Sequence, residues 1–176
     1  AKKRGIPGAE FNPAAGVRQY RVEGRERFLT QEEIQRLRDA LEMSSNKQLK
    51  YIVALLLMLG CRKMELLNAK WEHFDLERRT WKIPLSKSGK TRHVPVSTDA
   101  VKLLEGLRRW KTCPYVLPNP KTLKPFTDFH EPWHTACRRA GLKDVRIHDL
   151  RHTYASNLVN AVHSLFVDCL RHVAFG

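Results

Sequence analysis

Long hydrophobic segments are absent from this sequence of 176 residues. The longest strongly apolar run, Tyr51 to Leu59, is nine residues long, whereas a membrane-spanning helix needs about 20. The basic start, Ala1 to Arg4, is followed by Gly5 and Pro7 rather than by the apolar core of a secretory signal. The sequence therefore predicts no transmembrane helix, no export and no membrane partner.

Cysteine and acidic residues are also scarce. The four cysteines are widely spaced, form no CxxC pair and lie mostly among apolar residues, so we expect reduced structural thiols in a cytoplasmic protein. The sequence has 18 Asp and Glu against 32 Lys and Arg, which gives a net charge of +14. This excess favours a polyanionic partner, because cations that neutralise phosphates release counterions. An anionic membrane or simple solubility would also explain the charge.

The first 27 residues contain four glycines and two prolines without sustained periodicity, which is typical of a linker. The folded part is expected to start near Phe28. Thr30 and Glu33 have the spacing of a capping box, and the apolar stripe that follows predicts an amphipathic helix. Two further helices are predicted over residues 47–59 and 63–69, the first of them central to the core because it is apolar on most sides.

Strand patterns follow these helices. Residues 80–83 and 93–96 alternate between polar and apolar around the turn-forming residues 86–90, which predicts a β-hairpin with a basic tip. Ser97 or Thr98 is expected to cap the next helix. The pattern as a whole predicts an α+β fold that is mostly α-helical, with a small antiparallel β-sheet.

Two helices are predicted in the last third of the chain. An apolar stripe from Phe129 to Ala140 predicts one helix, and Gly141 is expected to end it. The last helix opens near His148 or Asp149 and is expected to bury Leu150, Tyr154 and Leu158.

Arg62 directly follows the most apolar helix of the chain. Burying a guanidinium is costly unless it is paired, because it keeps its charge at any ordinary pH. A structural ion pair with Glu65, three residues on, is one interpretation. The other is a preorganised fork for a carboxylate or a phosphate, for which the planar donors of arginine are well suited.

A second cluster lies around the start of the last helix. His148 and Arg151 are three residues apart, on one helical face near the positive end of the helix dipole, which favours an anion site. His148 and His152 have the i, i+4 spacing of a zinc pair. Zinc is disfavoured, because Arg151 lies between them and no third ligand is evident, so we interpret His152 as a structural histidine.

The predicted hairpin tip is strongly basic, which is usually only a solvated feature. Next to the two arginine clusters, however, Lys87 is a candidate for a side chain that reaches into a nucleic-acid groove. Further cations are candidates for contacts with the DNA backbone, without indicating any base sequence. These cations are Lys90, Arg92, Lys121, Lys124, Arg138, Arg139 and Arg146.

Together these residues resemble the tyrosine recombinase family, also called phage integrases. The run from Gly60 to Leu67 is similar to the first arginine box of the family. The run from Ser86 to Pro95 is similar to its lysine hairpin, and the run from His148 to Thr153 is similar to its HxxR box. The order and spacing of the three boxes also fit, over about residues 12–161.

The resemblance implies an integrase-like DNA breaking and rejoining catalytic domain. Arg62 and Arg151 would hold the nonbridging oxygens of the scissile phosphate, and Lys87 would protonate the leaving 5′ oxygen. His148 would assist proton transfer or hold the phosphate. Glu65 would orient the first box. The resemblance implies no metal or nucleotide cofactor, since a 3′-phosphotyrosyl link keeps the bond energy for rejoining. The implied partners are double-stranded DNA and further copies of the full-length protein.

The carboxyl end departs from the family. Beyond Ala161, His172 stands at the third-histidine position, but Arg171 replaces a glycine and no tyrosine follows to act as the nucleophile. Tyr154, three residues after Arg151, is expected to point into the core from the opposite side of the helix. It is therefore predicted to be a poor substitute for the nucleophile.

We therefore expect residues 1–27 to be a linker or the end of a core-binding domain, and residues 28–176 to be a catalytic domain that is incomplete at its carboxyl end. The fragment is expected to bind DNA weakly and not to cleave it. One alternative is a non-enzymatic DNA-binding remnant or regulator, which the missing tyrosine favours. A second is a type IB topoisomerase-like enzyme, whose catalytic chemistry resembles that of the family.

Overall fold

The computed structural model describes residues 27–84 and 91–160 of the chain. These residues contain six α-helices and a three-stranded antiparallel sheet. None of the helices in this part is long and apolar enough to cross a membrane. The prediction of a mostly α-helical α+β fold is confirmed. In chain order the elements are α1 (Gln31–Glu42), α2 (Leu49–Leu59), α3 (Lys63–Leu67), β1 (Phe74–Asp75), β2 (Thr80–Ile83), β3 (Arg92–Pro95), α4 (Thr98–Glu105), α5 (His130–Arg139) and α6 (residues 149–160).

The first helix begins at the predicted capping box. The Thr30 hydroxyl accepts a hydrogen bond from the Glu33 backbone N–H at 3.3 Å, and the Thr30 N–H donates to the Glu33 carboxylate at 3.0 Å. Both bonds satisfy backbone groups that an α-helix leaves without partners at its start. The helix then packs against α2 and α5 through its buried face.

The second helix is the centre of the core, as its apolar sequence predicts. Six of its residues are buried, and it packs against α1, α3 and α4. It ends at Gly60, whose φ of 56° lies in the left-handed region that favours glycine. This reversal places Arg62 just outside the core, at the start of α3. The third helix ends at Leu67, two residues before the predicted end.

The sheet has the strand order β1-β2-β3, with both pairs antiparallel. The predicted hairpin is confirmed, with β3 beginning one residue earlier than expected, and its tip lies outside the described residues. Trp81 is buried opposite Val94 and stacks on Phe74, with ring centroids 5.1 Å apart. Strand β1 was not predicted, because two residues are too few to show an alternating pattern.

The predicted signals around α4 and α5 are confirmed. The Ser97 hydroxyl accepts a hydrogen bond from the Ala100 backbone N–H at 3.2 Å and caps α4. The apolar stripe from Phe129 to Ala140 is buried, and Gly141 follows α5 with a left-handed φ of 65°.

The last helix is tied to the start of the domain by Thr153. Its hydroxyl donates to the Asp149 carbonyl at 2.8 Å and accepts from the Leu29 N–H at 3.0 Å. Leu150 is fully buried as predicted, but the prediction for Leu158 is wrong, because its side chain is 52% exposed. Two steps of four residues turn a helix by about 80°, which carries Leu158 away from the face that buries Leu150.

Replacing Trp81 tests the packing of the sheet on the core. We expect Trp81→Ala to lower the free energy of unfolding by about 3–5 kcal/mol, because the indole is 1% exposed and its removal leaves a cavity. Urea denaturation followed by circular dichroism measures the change. Lys82→Ala, on the exposed side of the same strand, is the control and should change stability by less than about 0.5 kcal/mol.

Two buried thiols provide a second test of the core. Burial, together with the negative charge of Glu65, raises the pKa of Cys61 to about 12, and burial raises the pKa of Cys137 to about 11. Both thiols should therefore stay protonated and react slowly with iodoacetamide at pH 8, since the thiolate is the nucleophile. Peptide mass spectrometry should find both cysteines labelled only after denaturation in urea. Rapid labelling of Cys61 in the native protein would contradict its burial.

Candidate active site

Arg62 is held at the start of α3 by Glu65. Its backbone N–H donates to Glu65 Oε2 at 2.9 Å, and its Nη1 donates to Glu65 Oε1 at 2.9 Å. The ion pair that the spacing suggested is therefore present. The Arg62 side chain is still 48% exposed, so the pairing leaves much of the guanidinium open to a ligand. The two interpretations of Arg62 are thus compatible.

The Glu65 carboxylate is shared by two arginines. Arg92 Nη2, at the base of the hairpin, donates to Glu65 Oε2 at 2.6 Å, and the Glu65 side chain is only 9% exposed. Burial favours the neutral acid, but hydrogen bonds from Arg62 and the positive charges of Arg92 and Arg62 lower the pKa of Glu65 below its ordinary value. Its ionised form therefore stabilises the fold at neutral pH, and this contribution is lost when acid protonates the carboxylate.

Arg151 approaches the same turn from α6. Its Nη1 donates to the backbone carbonyl of Gly60, two residues before Arg62. The interaction joins the HxxR helix to the first arginine box, although the two are far apart in the sequence. The structure thus brings the two arginines that the sequence singled out to one three-residue turn.

Tyr154 packs on the same glycine. A Cβ atom on Gly60 would lie 2.1 Å from Tyr154 Cδ1, so the ring occupies the space that any other residue would need. The prediction that Tyr154 points away from the Arg151 side of α6 is wrong. Residues three apart share a helical face, and here both side chains contact Gly60.

Several charges surround the buried Cys61. The negative charge of Glu65 raises the pKa of the Cys61 thiol, whereas the positive charges of Arg92 and Arg151 lower it. All three groups are therefore close enough to act on this one residue. With Arg62 next to Cys61 in the chain, three guanidinium groups and one carboxylate give the site an excess of positive charge that suits an anion.

His148 lies just before α6 and is exposed. Its ring meets the His152 ring edge to face, with centroids 5.1 Å apart. The Asp149 carboxylate accepts a hydrogen bond from the Arg146 N–H at 2.9 Å, which fixes the turn that presents His148. No group of three or more potential metal ligands occurs among the described residues.

The remaining predicted site residues differ in their placement. Lys87, Lys90 and His172 lie outside the described residues. Lys121, Lys124, Arg138 and Arg146 are exposed. Arg139 is also exposed and donates to the Met43 carbonyl at 3.0 Å.

Two features of the site were missed by sequence reasoning. The sequence predicts that Arg92 contacts the DNA backbone, but Arg92 lies two residues before the buried Val94 on the same strand and pairs with Glu65. The alternation of β3 could have revealed this, because residues i and i+2 share a face. The role of Gly60 as an acceptor and a packing surface had no sequence signal.

Comparison with known proteins gives consistent matches. Residues 27–167 match the phage integrase family. The integrase of Salmonella phage P22 is 33% identical over 148 residues, covering 77% of this chain and 37% of the relative. A shufflon-specific DNA recombinase of Escherichia coli is 33% identical over 142 residues, covering 80% of this chain and 35% of the relative. The chain thus spans just over a third of the length of these two relatives.

Solved structures share the fold. The crystal structure of XerA recombinase has a TM-score of 0.61 and 28% identity, covering 75% of this chain and 50% of that one. A lambda integrase dimer bound to a core site has a TM-score of 0.65 and 20% identity, covering 84% of this chain and 57% of that one. With a family match over most of its length and three family boxes in order, the chain belongs to the phage integrase family.

Proposed function

We propose that this chain supplies the phosphate-activating part of a site-specific DNA recombinase, which cleaves and rejoins strands through a 3′-phosphotyrosyl intermediate. The observation that carries the proposal is the meeting of Arg62 and Arg151 at the turn after α2. Family membership and the relatives named as an integrase and as a shufflon-specific DNA recombinase support it. Double-stranded DNA is the proposed substrate.

This proposal assigns a role to each site residue. Arg62 and Arg151 bind the nonbridging oxygens of the scissile phosphate and neutralise the charge that grows in the transition state. Glu65 holds Arg62 in place through the bonds described above. Lys87 protonates the leaving 5′ oxygen, and His148 holds the phosphate or assists proton transfer. His172 is assigned to the third-histidine position by its place in the sequence alone.

Exposed basic side chains elsewhere on the domain would guide the DNA. Lys121, Lys124, Arg138, Arg139 and Arg146 are exposed and can contact backbone phosphates without reading bases. Solved relatives include a lambda integrase tetramer bound to a Holliday junction, which supports assembly of several copies on DNA. We assign residues 28–176 to the catalytic domain and residues 1–27 to a linker or the end of a core-binding domain.

The described tyrosines are poor candidates for the nucleophile. Tyr51, Tyr115 and Tyr154 are all half-buried, and the Tyr154 ring rests on Gly60. Attack requires an oxygen in line with the leaving group at about 3–3.5 Å, which a ring held by core contacts cannot readily reach. We infer that these 176 residues alone bind DNA but do not cleave it.

Salt dependence tests DNA binding and the role of the two arginines. The logarithm of the duplex affinity should fall linearly with the logarithm of the salt concentration, by about 0.9 per phosphate contacted. Arg62→Ala and Arg151→Ala should each weaken binding by about tenfold, because each removes charge-assisted hydrogen bonds to phosphate. Fluorescence anisotropy of a labelled duplex measures both effects. Binding that does not respond to salt would contradict the proposal.

A covalent trapping experiment tests the absence of a nucleophile. We expect no protein–DNA adduct that survives denaturant when the chain is mixed with a nicked suicide duplex. A version extended to the native carboxyl terminus should form one, and Arg151→Ala should abolish it because the phosphate is then not activated. Gel electrophoresis in denaturant separates the adduct from free protein.

The controls for this experiment distinguish the alternatives. An adduct formed by the 176-residue chain and lost in Tyr154→Phe would show that Tyr154 is the nucleophile after all. If the extended version binds duplex but forms no adduct, the non-enzymatic DNA-binding alternative is favoured. Relaxation of supercoiled plasmid without recombination by the extended version would favour the topoisomerase-like alternative.

A further inference from the structure

Arg92 is half-buried and paired rather than a free surface cation. It begins β3 on the face that buries Val94, and its side chain is 34% exposed. Its Nη2 donates to Glu65 Oε2 at 2.6 Å. Its Nε is buried and has no hydrogen-bond partner among the described residues. The guanidinium is thus aimed at one carboxylate.

This placement determines how Glu65 can bond Arg62. Oε2 of Glu65 is occupied by Arg92 Nη2 and by the Arg62 backbone N–H, which leaves Oε1 for the Arg62 side chain. Arg62 therefore bonds the carboxylate through Nη1 alone, at 2.9 Å. A carboxylate that faces a single guanidinium commonly accepts from two of its nitrogens. Here the second oxygen, Oε2, already accepts from Arg92 and from the Arg62 backbone N–H.

We propose that Arg92 is a positioning residue, which occupies Oε2 of Glu65 and so keeps the remaining donors of Arg62 available to the scissile phosphate. The inference rests on the proposed function, because it takes a DNA phosphate as the ligand of Arg62. It also replaces the expectation that Arg92 contacts DNA. Arg92 acts only through Glu65 and touches neither the phosphate nor the reacting atoms.

Loss of Arg92 would change Arg62 without removing any contact to DNA. Oε2 of Glu65 would keep only the bond from the Arg62 backbone N–H and could accept a further bond from the Arg62 side chain. The guanidinium would then turn towards the carboxylate and away from the phosphate. Lysine would not substitute for Arg92, because an ammonium is a compact point charge without the planar geometry of the guanidinium. Removing the carboxylate as well would release Arg62 again.

A double-mutant cycle tests this inference. The duplex affinities of the wild type, Arg92→Met, Arg62→Ala and the double variant are measured by fluorescence anisotropy at one low salt concentration. Each single variant should bind about tenfold more weakly, and the double variant should bind no more weakly than Arg62→Ala. If Arg92 contacts DNA itself, the two losses will multiply, and the inference is overturned.

Two further variants separate positioning from charge and from stability. Arg92→Lys keeps the positive charge and should recover less than half of the lost affinity, whereas full recovery would mean that charge alone matters. Arg92→Met combined with Glu65→Gln should bind more tightly than Arg92→Met alone, because no carboxylate is left to capture Arg62. Lys82→Met, an exposed cation on the neighbouring strand, is the matched control, and its effect should multiply with that of Arg62→Ala. Circular dichroism verifies that each variant is folded.

A spectroscopic measurement makes the inference independent of DNA binding. The Nε–H signal of Arg62, assigned by its loss in Arg62→Lys, should shift in the ¹⁵N spectrum of Arg92→Met without any DNA present. An unmoved signal together with unchanged duplex affinity would overturn the inference. If the wild type shows no salt-dependent duplex binding while the Arg62 signal still shifts, the proposed function fails and the positioning role of Arg92 stands.

Discussion

The site depends on one buried carboxylate that is shared by two arginines. Glu65 would be costly to bury alone, because the low dielectric of the interior opposes its charge. Arg62 and Arg92 compensate this cost from opposite sides, one from the start of α3 and the other from the start of β3. Because the Arg62 and Arg92 side chains are 48% and 34% exposed, solvent screens both pairs, and their main effect is to connect the start of α3 to the start of β3.

A second junction, at Gly60, fixes the other arginine. The left-handed φ of Gly60 turns the chain out of α2, and the Gly60 carbonyl accepts a hydrogen bond from Arg151. Because Gly60 has no side chain, it leaves room for the Tyr154 ring. Any Cβ there would have to displace an aromatic ring on α6. Gly60 and Glu65 thus anchor the two sides of the same short turn, and Arg62 lies between them.

Much of the fold could be predicted because its signals are local. The capping box at Thr30, the Ser97 cap and the α5 stripe depend only on neighbouring residues, and the structure has all three. Exposed Leu158 was misjudged because the apolar spacing of a helix does not tell which part of its face another element covers. The contacts of Arg92 and Tyr154 depend on residues far away in the chain, which no local pattern reveals.

The geometry also explains why pairing and ligand binding are compatible in this site. Arg62 and Arg92 share the Glu65 carboxylate, and Arg151 is held by the Gly60 carbonyl, so these contacts order the three arginines without cancelling their charge. If every arginine were paired with its own carboxylate, the positive charges would be neutralised and the site would attract an anion only weakly. Because the donors are fixed before a ligand arrives, little reorganisation is needed when charge grows on a bound phosphate. Because only one carboxylate accompanies the three arginines at this turn, the site keeps a net positive charge that an anion can neutralise.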